Sequence, residues 1–264
     1  MRKLEIVVLV LALLILLFGA GIFFYPTIRT AVMHMEEQAG IEDFVEYREA
    51  AAQGLPTGDA DEPPDAIQAD REIERQEAAF SELRTACMAF NEQLPTTQRE
   101  RYNEVSLQQP SIRLADYGWT QEIFGYLSIP AAGIETPLYL GASSANMDKG
   151  GAILGQTSLP LGGKSTNCVI AGHRTWSGAI RFKGLEQLTT GDTVSVTNPW
   201  ETLTYRVIET KIVLPDTQDE ILVQEGRDLL TLFTCTYPNT RRILVICERT
   251  DNDSSGQPLR TPAG

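Results

Sequence analysis

The sequence predicts a mainly β protein: a closed β-barrel with short helices, preceded by N-terminal helices and one transmembrane helix. Three observations carry this reading. From Phe124 onward, short runs rich in Val, Ile, Leu, Phe and Thr alternate with clusters of Gly, Pro, Asn and Asp, the pattern of many short strands in one closed sheet. Before that, residues 67–94 place apolar side chains at helical spacing. The chain opens with an uncharged apolar stretch long enough to cross a bilayer.

The opening stretch comes first. Arg2 and Lys3 precede Ile6–Phe24, which is 19 residues without a charge. At the helical rise this is about 28 Å, close to the hydrocarbon thickness of a bilayer. A cleaved signal peptide would be shorter and end at a small-residue site, and Gly19-Ala20-Gly21 is a poor one. Residues 1–24 are therefore expected to be an uncleaved signal anchor. The basic pair before it and Glu36 and Glu37 after it predict a cytoplasmic N-terminus and an extracellular remainder of a single-pass cell-membrane protein.

Residues 25–66 read as a juxtamembrane helix followed by an acidic, Pro- and Gly-containing linker. Residues 67–122 read as a helix and a possible lid region. Within it, Ile73, Phe80, Leu83, Cys87, Phe90 and Leu94 form one stripe that needs a partner surface. Pro95 and Pro110 bracket a polar piece expected to form a loop before the main domain. That domain spans 123–250, with strands expected at 124–130, 134–140, 168–171, 193–197, 202–213, 229–234 and 243–247, and a short helix over 182–188. Residues 251–264 are polar and expected to be disordered.

The formal net charge of −13 argues against nucleic acid, whose backbone calls for basic patches. The four cysteines form no C-x-x-C pair, and the two histidines have no metal-ligand spacing. No metal and no organic cofactor are expected. Cys87, Cys168 and Cys247 lie within apolar patterns and read as core.

Cys235 differs. It closes one apolar run, and Arg242 opens the next across a turn containing Pro238 and Asn239. A cation beside a thiol favours the thiolate, and a guanidinium is a fixed fork of donors for an acyl oxygen that gains negative charge. His173, the one histidine after residue 34, lies in the run Thr166–Arg174, which reads as a strand ending in Gly-His, and could serve as general acid or base. A lone cysteine at a strand end is more often packing, and a lone histidine is more often a satisfied side chain. Sequence separation alone does not bring His173 to Cys235.

These residues resemble a known family. The run from Thr231 through Cys235 to Arg242 and Val245 resembles the T-L-x-T-C…R-L-L-V signature of the sortases. The run from Gly150 to Arg174 resembles the segment before the histidine of class C, pilin-polymerising sortases. The resemblance spans roughly 124–249. It implies a sortase-type barrel and a membrane-anchored cysteine transpeptidase that cleaves an LPXTG-like motif between Thr and Gly. It implies Cys235 as nucleophile, His173 as general acid/base and Arg242 as oxyanion or substrate stabiliser, with Thr234 and Asn239 at substrate-binding positions.

The implied partners are LPXTG-like sorting-signal proteins, either pilins or surface proteins, and an acceptor amine from a pilin Lys or a peptidoglycan precursor. The alternatives are a housekeeping enzyme that anchors proteins to peptidoglycan and an inactive surface scaffold. Class C members carry a lid with Asp-Pro and an aromatic residue. Here the nearest matches are Pro110, which lacks both the carboxylate and the ring, and the pair Asp116 and Trp119.

Overall fold

The computed structural model describes residues 2–54, 66–101, 103–176, 179–215 and 219–250. Most of the expected linker and all of the expected tail, residues 251–264, lie outside the described residues.

The first helix, α1 (Arg2–Ala52), is continuous. Its N-terminal half is apolar on every face, with a mean hydropathy of 3.2 over its most apolar window and no burial there. The helix then changes character. Met33, Glu37, Ile41, Phe44, Tyr47 and Ala51 are buried at steps of three and four, a stripe that matches the helical repeat and packs on protein. Pro26 sits inside the helix and takes the hydroxyl of Thr30 on its carbonyl at 2.8 Å. Juxtamembrane and apolar segments are thus one element.

The second helix, α2 (Ala66–Arg101), runs through Pro95 rather than stopping there, which corrects the loop expected from residue 95. A proline inside a helix lacks one N–H. Two contacts on the far side of Pro95 use the extra turn. Gln98 donates to Gln156 O at 2.9 Å and accepts from Val223 N at 2.9 Å. One turn before the proline, Asn91 makes a paired contact with the backbone of Leu159, donating at 2.9 Å and accepting at 2.8 Å. Leu83, Cys87 and Leu94 of the expected stripe are buried.

A short helix, α3 (Glu104–Gln108), follows, and then the barrel. Its elements are β1 (Ile123–Ile129), β2 (Ile134–Leu140), α4 (Ser144–Lys149), β3 (Gly151–Ile153), β4 (Thr166–Ala171), the small pair β5 (Thr175–Trp176) and β6 (Ala179–Ile180), β7 (Thr193–Thr197), β8 (Thr202–Val213), β9 (Asp228–Cys235) and β10 (Arg242–Arg249). The expected helix after residue 182 is a 3-10 helix over Phe182–Gln187. Eight strands close in the order β1-β2-β3-β4-β9-β10-β8-β7. β2 with β3 and β4 with β9 are parallel; the remaining barrel neighbours are antiparallel. Closure leaves the barrel itself without a free edge among the described residues.

The barrel interior is filled by residues such as Leu127, Leu138, Ile170, Val196, Leu230, Leu232 and Val245. An aromatic cluster joins the helices to it. Trp119 lies against Phe44, Tyr47 and Phe80, with ring centroids 6.1, 4.7 and 6.2 Å away. Trp119 is 3% exposed and donates from Nε1 to Ile123 O at 3.2 Å. It is therefore part of the core, and Asp116 is exposed beside Arg113 at 3.8 Å.

Candidate active site

The parallel pairing of β4 and β9 builds the site. Ala171 is level with Phe233, so two further residues bring His173 level with Cys235. The pairing continues past the strand end, where Gly172 N donates to Phe233 O at 3.1 Å. The buried hydroxyl of Thr234 donates to Gly172 O at 2.8 Å. A residue larger than glycine would not fit here, because a Cβ at 172 would lie 2.7 Å from the Phe182 ring. On the other side of β9, Arg242 pairs directly with Cys235. Side chains at paired positions point to one face of a sheet. His173, Cys235 and Arg242 thus come from three neighbouring strand ends onto one face.

Each group has local support. The imidazole Nε2 of His173 lies 3.3 Å from Asp148 Oδ1, with both side chains about a third exposed. Asp148 sits on α4, whose start is capped by Ser143 accepting from Asn146 N at 3.2 Å. Asn146 donates to Leu140 O and Gly141 O at 2.9 and 2.8 Å, which fixes α4 to the end of β2. Arg242 Nη1 donates to Asn239 Oδ1 and to Arg241 O, each at 3.2 Å. The loop carrying Asn239 is closed by Thr236, whose N–H donates to Arg241 O at 3.0 Å and whose hydroxyl accepts from Arg241 N at 3.1 Å.

The four thiols are not equivalent. Cys87, Cys168 and Cys247 are buried, and Cys235 is half-buried. Burial pushes the Cys87 and Cys247 thiols up to about 12 and Cys168 higher still. Those three have next to no thiolate near neutral pH.

The face bearing the site continues as an apolar floor. Leu154, Val169, Ala171, Ile221 and Leu244 are buried there, with Leu107, Met147, Val213 and Phe233 packed against them. Leu107 belongs to α3. Its carbonyl accepts from Ala142 N at 3.0 Å and from Gly155 N at 2.9 Å. A side chain at residue 155 would meet Ser106 O at 2.1 Å, so the glycine permits this approach. Within 103–122, Leu107 is the side chain seated on the floor beside the site, whereas Pro110 is exposed.

Of the residues expected from sequence, the fold brings His173, Cys235, Arg242 and Asn239 together. Thr234 faces inward and braces the His173 segment. Sequence reasoning missed Asp148 and Leu107; neither has a local signal, because each acts through a tertiary contact.

A barrel of this order, with a half-exposed cysteine between a histidine and an arginine, is a sortase arrangement, and the comparisons agree. The sortase domain family matches residues 127–250. Sortase A of Streptococcus agalactiae is 30% identical over 131 residues, covering 48% of this chain and 52% of that protein. The structure of sortase C-1 from Streptococcus pneumoniae superposes with a TM-score of 0.59 at 31% identity, covering 70% of this chain and 98% of that one. Sortase C2 of Group B Streptococcus pilus island 1 gives a TM-score of 0.57 at 33% identity, covering 65% and 97%. The chain belongs to the sortase family, and these structural relatives are class C sortases. It spans between 52% and 59% of the length of the curated relatives it matches.

Proposed function

We propose that the protein is a membrane-anchored cysteine transpeptidase of the pilin-assembling type, with residues 123–250 as its catalytic domain. The observation that carries this is the meeting of His173, Cys235 and Arg242 on one face at three adjacent strand ends. The Cys235 thiolate attacks the Thr carbonyl of an LPXTG-like motif. The oxyanion forms within reach of the Arg242 guanidinium, which Asn239 holds in place. The bond to Gly breaks, and the departing amine takes its proton from His173. This leaves a thioacyl enzyme. An acceptor amine then attacks the thioester, His173 takes the surplus proton, and Cys235 is released.

Pilin Lys is the proposed acceptor. The likeness to class C structures covers nearly all of those chains, and one of them is a sortase of a pilus island. The apolar half of α1 is proposed to span the cell membrane once, with the N-terminus cytoplasmic and the barrel outside. α3 is proposed as the lid, with Leu107 as its contact.

The test uses the full chain in detergent with an LPXTG-type peptide and intact-protein mass spectrometry. The proposal expects a mass gain equal to the fragment ending in Thr, absent in Cys235→Ala. Adding a Lys-containing pilin peptide should discharge the adduct faster than a peptidoglycan stem peptide. Absence of an adduct while Cys235 reacts freely with iodoacetamide would refute the reaction class for this motif.

A further inference from the structure

Arg181 sits behind the site and touches no element of the proposed chemistry directly. Its side chain and that of Glu37 are 6% and 5% exposed. Nη1 donates to Glu37 Oε1 at 2.8 Å, and Nη2 donates to the backbone carbonyl of Asp148 at 2.6 Å. Asp148 is the residue whose carboxylate faces His173. The Arg181 backbone grips the His173 segment as well: Arg181 N donates to Arg174 O at 3.2 Å, and the next amide, Phe182 N, donates to His173 O at 3.0 Å. One residue thus holds both elements that locate the imidazole.

Glu37 belongs to α1, in the part that follows the apolar half. Its carboxylate also accepts from Thr136 Oγ1 of β2 at 3.0 Å, and His34 Nδ1 lies 3.5 Å away. Burying a charged pair costs free energy unless geometry and hydrogen bonds offset it. A surface helix that merely packed on the barrel would need no such pair. Its value here is direction: a planar guanidinium with two fixed contacts sets an orientation that an apolar contact cannot.

We propose that Arg181 is a positioning residue for His173, and that Glu37 of the anchor helix holds Arg181 in that role. Docking of α1 on the barrel thereby sets the imidazole. This deepens the transpeptidase reading and rests on it for its kinetic arm. Lysine at 181 keeps the charge but lacks the planar fork, whose two separate nitrogens reach Glu37 and the Asp148 carbonyl in a fixed orientation. Glutamine at 37 keeps an acceptor for Nη1; alanine leaves the guanidinium buried and unpaired.

The test uses the full chain in detergent micelles, with two readouts. The first is thioacyl formation from an LPXTG-type peptide, resolved into kcat and KM. The second is the imidazole ¹⁵N spectrum at fixed pH. The chain has two histidines, and a His34→Asn sample assigns them. Arg181→Met, Arg181→Lys and Glu37→Ala should each lower kcat about ten-fold or more, leave KM within about two-fold, and shift the His173 resonances. Glu37→Gln should restore most of both.

His173 resonances unchanged in Arg181→Lys would overturn the proposal, as would a loss confined to KM. If Arg181→Met does not fold, Arg181→Lys and Glu37→Ala decide. If the wild-type chain forms no adduct, the transpeptidase reading fails, and the His173 resonances still decide whether Arg181 positions the ring.

Discussion

Thr234 and Thr231 allow a matched experiment on β9. Both are buried, at 1% and 0% exposure, and each donates one hydrogen bond to a neighbouring segment. Thr234 reaches Gly172 O at 2.8 Å, beside His173. Thr231 reaches Asn167 Oδ1 at 2.9 Å, inside the barrel wall. Valine is close in shape and lacks the hydroxyl, so each substitution removes one bond and leaves a buried acceptor short of a donor. The cost is about 1–2 kcal/mol in either case. With a urea slope of about 2 kcal/mol/M, each midpoint should fall by about 0.5–1 M.

Function should separate the two variants. Thr231 is four residues, about 13 Å along the strand, from Cys235. Thr234 ties down the peptide unit next to His173. Thr234→Val is therefore expected to lower the thioacylation rate about ten-fold or more, a barrier change of about 1.4 kcal/mol, while Thr231→Val stays within about two-fold of wild type. Intact-mass time courses measure the rate, and urea titrations followed by tryptophan fluorescence measure the stability. Equal rates in the two variants at equal loss of stability would refute the claim that the Thr234 contact positions His173.

The remaining predictions concern the thiols, the lid and pH. At pH 8, iodoacetamide should label Cys235 in the folded chain and spare Cys87 and Cys247, whose thiols at about 12 leave about one part in ten thousand as thiolate; peptide mapping before and after denaturation checks this. Leu107→Ala removes part of a half-buried contact, about 1 kcal/mol, so alkylation of Cys235 should speed up by as much as about five-fold if α3 must lift, and an unchanged rate would remove Leu107 from the lid. Burial holds the Asp228 carboxyl above its ordinary value. The folded state then binds more protons than the unfolded one just above pH 4, and this group's contribution to stability falls as pH rises through that window. Asp228→Asn should flatten that part of the stability profile relative to wild type, as read from urea midpoints between pH 3.5 and about 6.

The parts of the fold legible in the sequence are those set by local pattern. β2, β7 and β8 have the bounds that alternation and turn residues predict, because each carries several residues of one period between breakers. β3 was illegible: Gly151–Ile153 is three residues, too short for a period, and is a strand because β2 and β4 flank it. Pro95 reads as a helix end, yet α2 continues because Gln98 has backbone partners at Gln156 and Val223, far away in sequence. Trp119 reads as an aromatic plug before the barrel, yet Phe44, Tyr47 and Phe80 claim it. Cys235 and Arg242 were legible together because one hairpin joins them. His173 was legible as a residue but not as a neighbour, and Asp148 and Arg181 were not legible at all.

That last distinction follows from how the site is assembled. A hairpin fixes Arg242 against Cys235 through a short loop. The pairing of β4 with β9 is parallel, so it needs a long crossover, here the whole of residues 172–227 with β7 and β8 inside it. A register slip of one residue between β4 and β9 would turn His173 to the opposite face from Cys235. Two side-chain contacts across the pair resist such a slip: Thr231 with Asn167 Oδ1 at 2.9 Å and Thr234 with Gly172 O at 2.8 Å. The helices add contacts from outside: Asn91 of α2 pairs with the backbone of Leu159, and Asp148 of α4 lies 3.3 Å from the His173 imidazole. The alignment of Cys235 with His173, 62 positions apart, is therefore a property of the closed barrel, and motif residues without that closure would not be brought level.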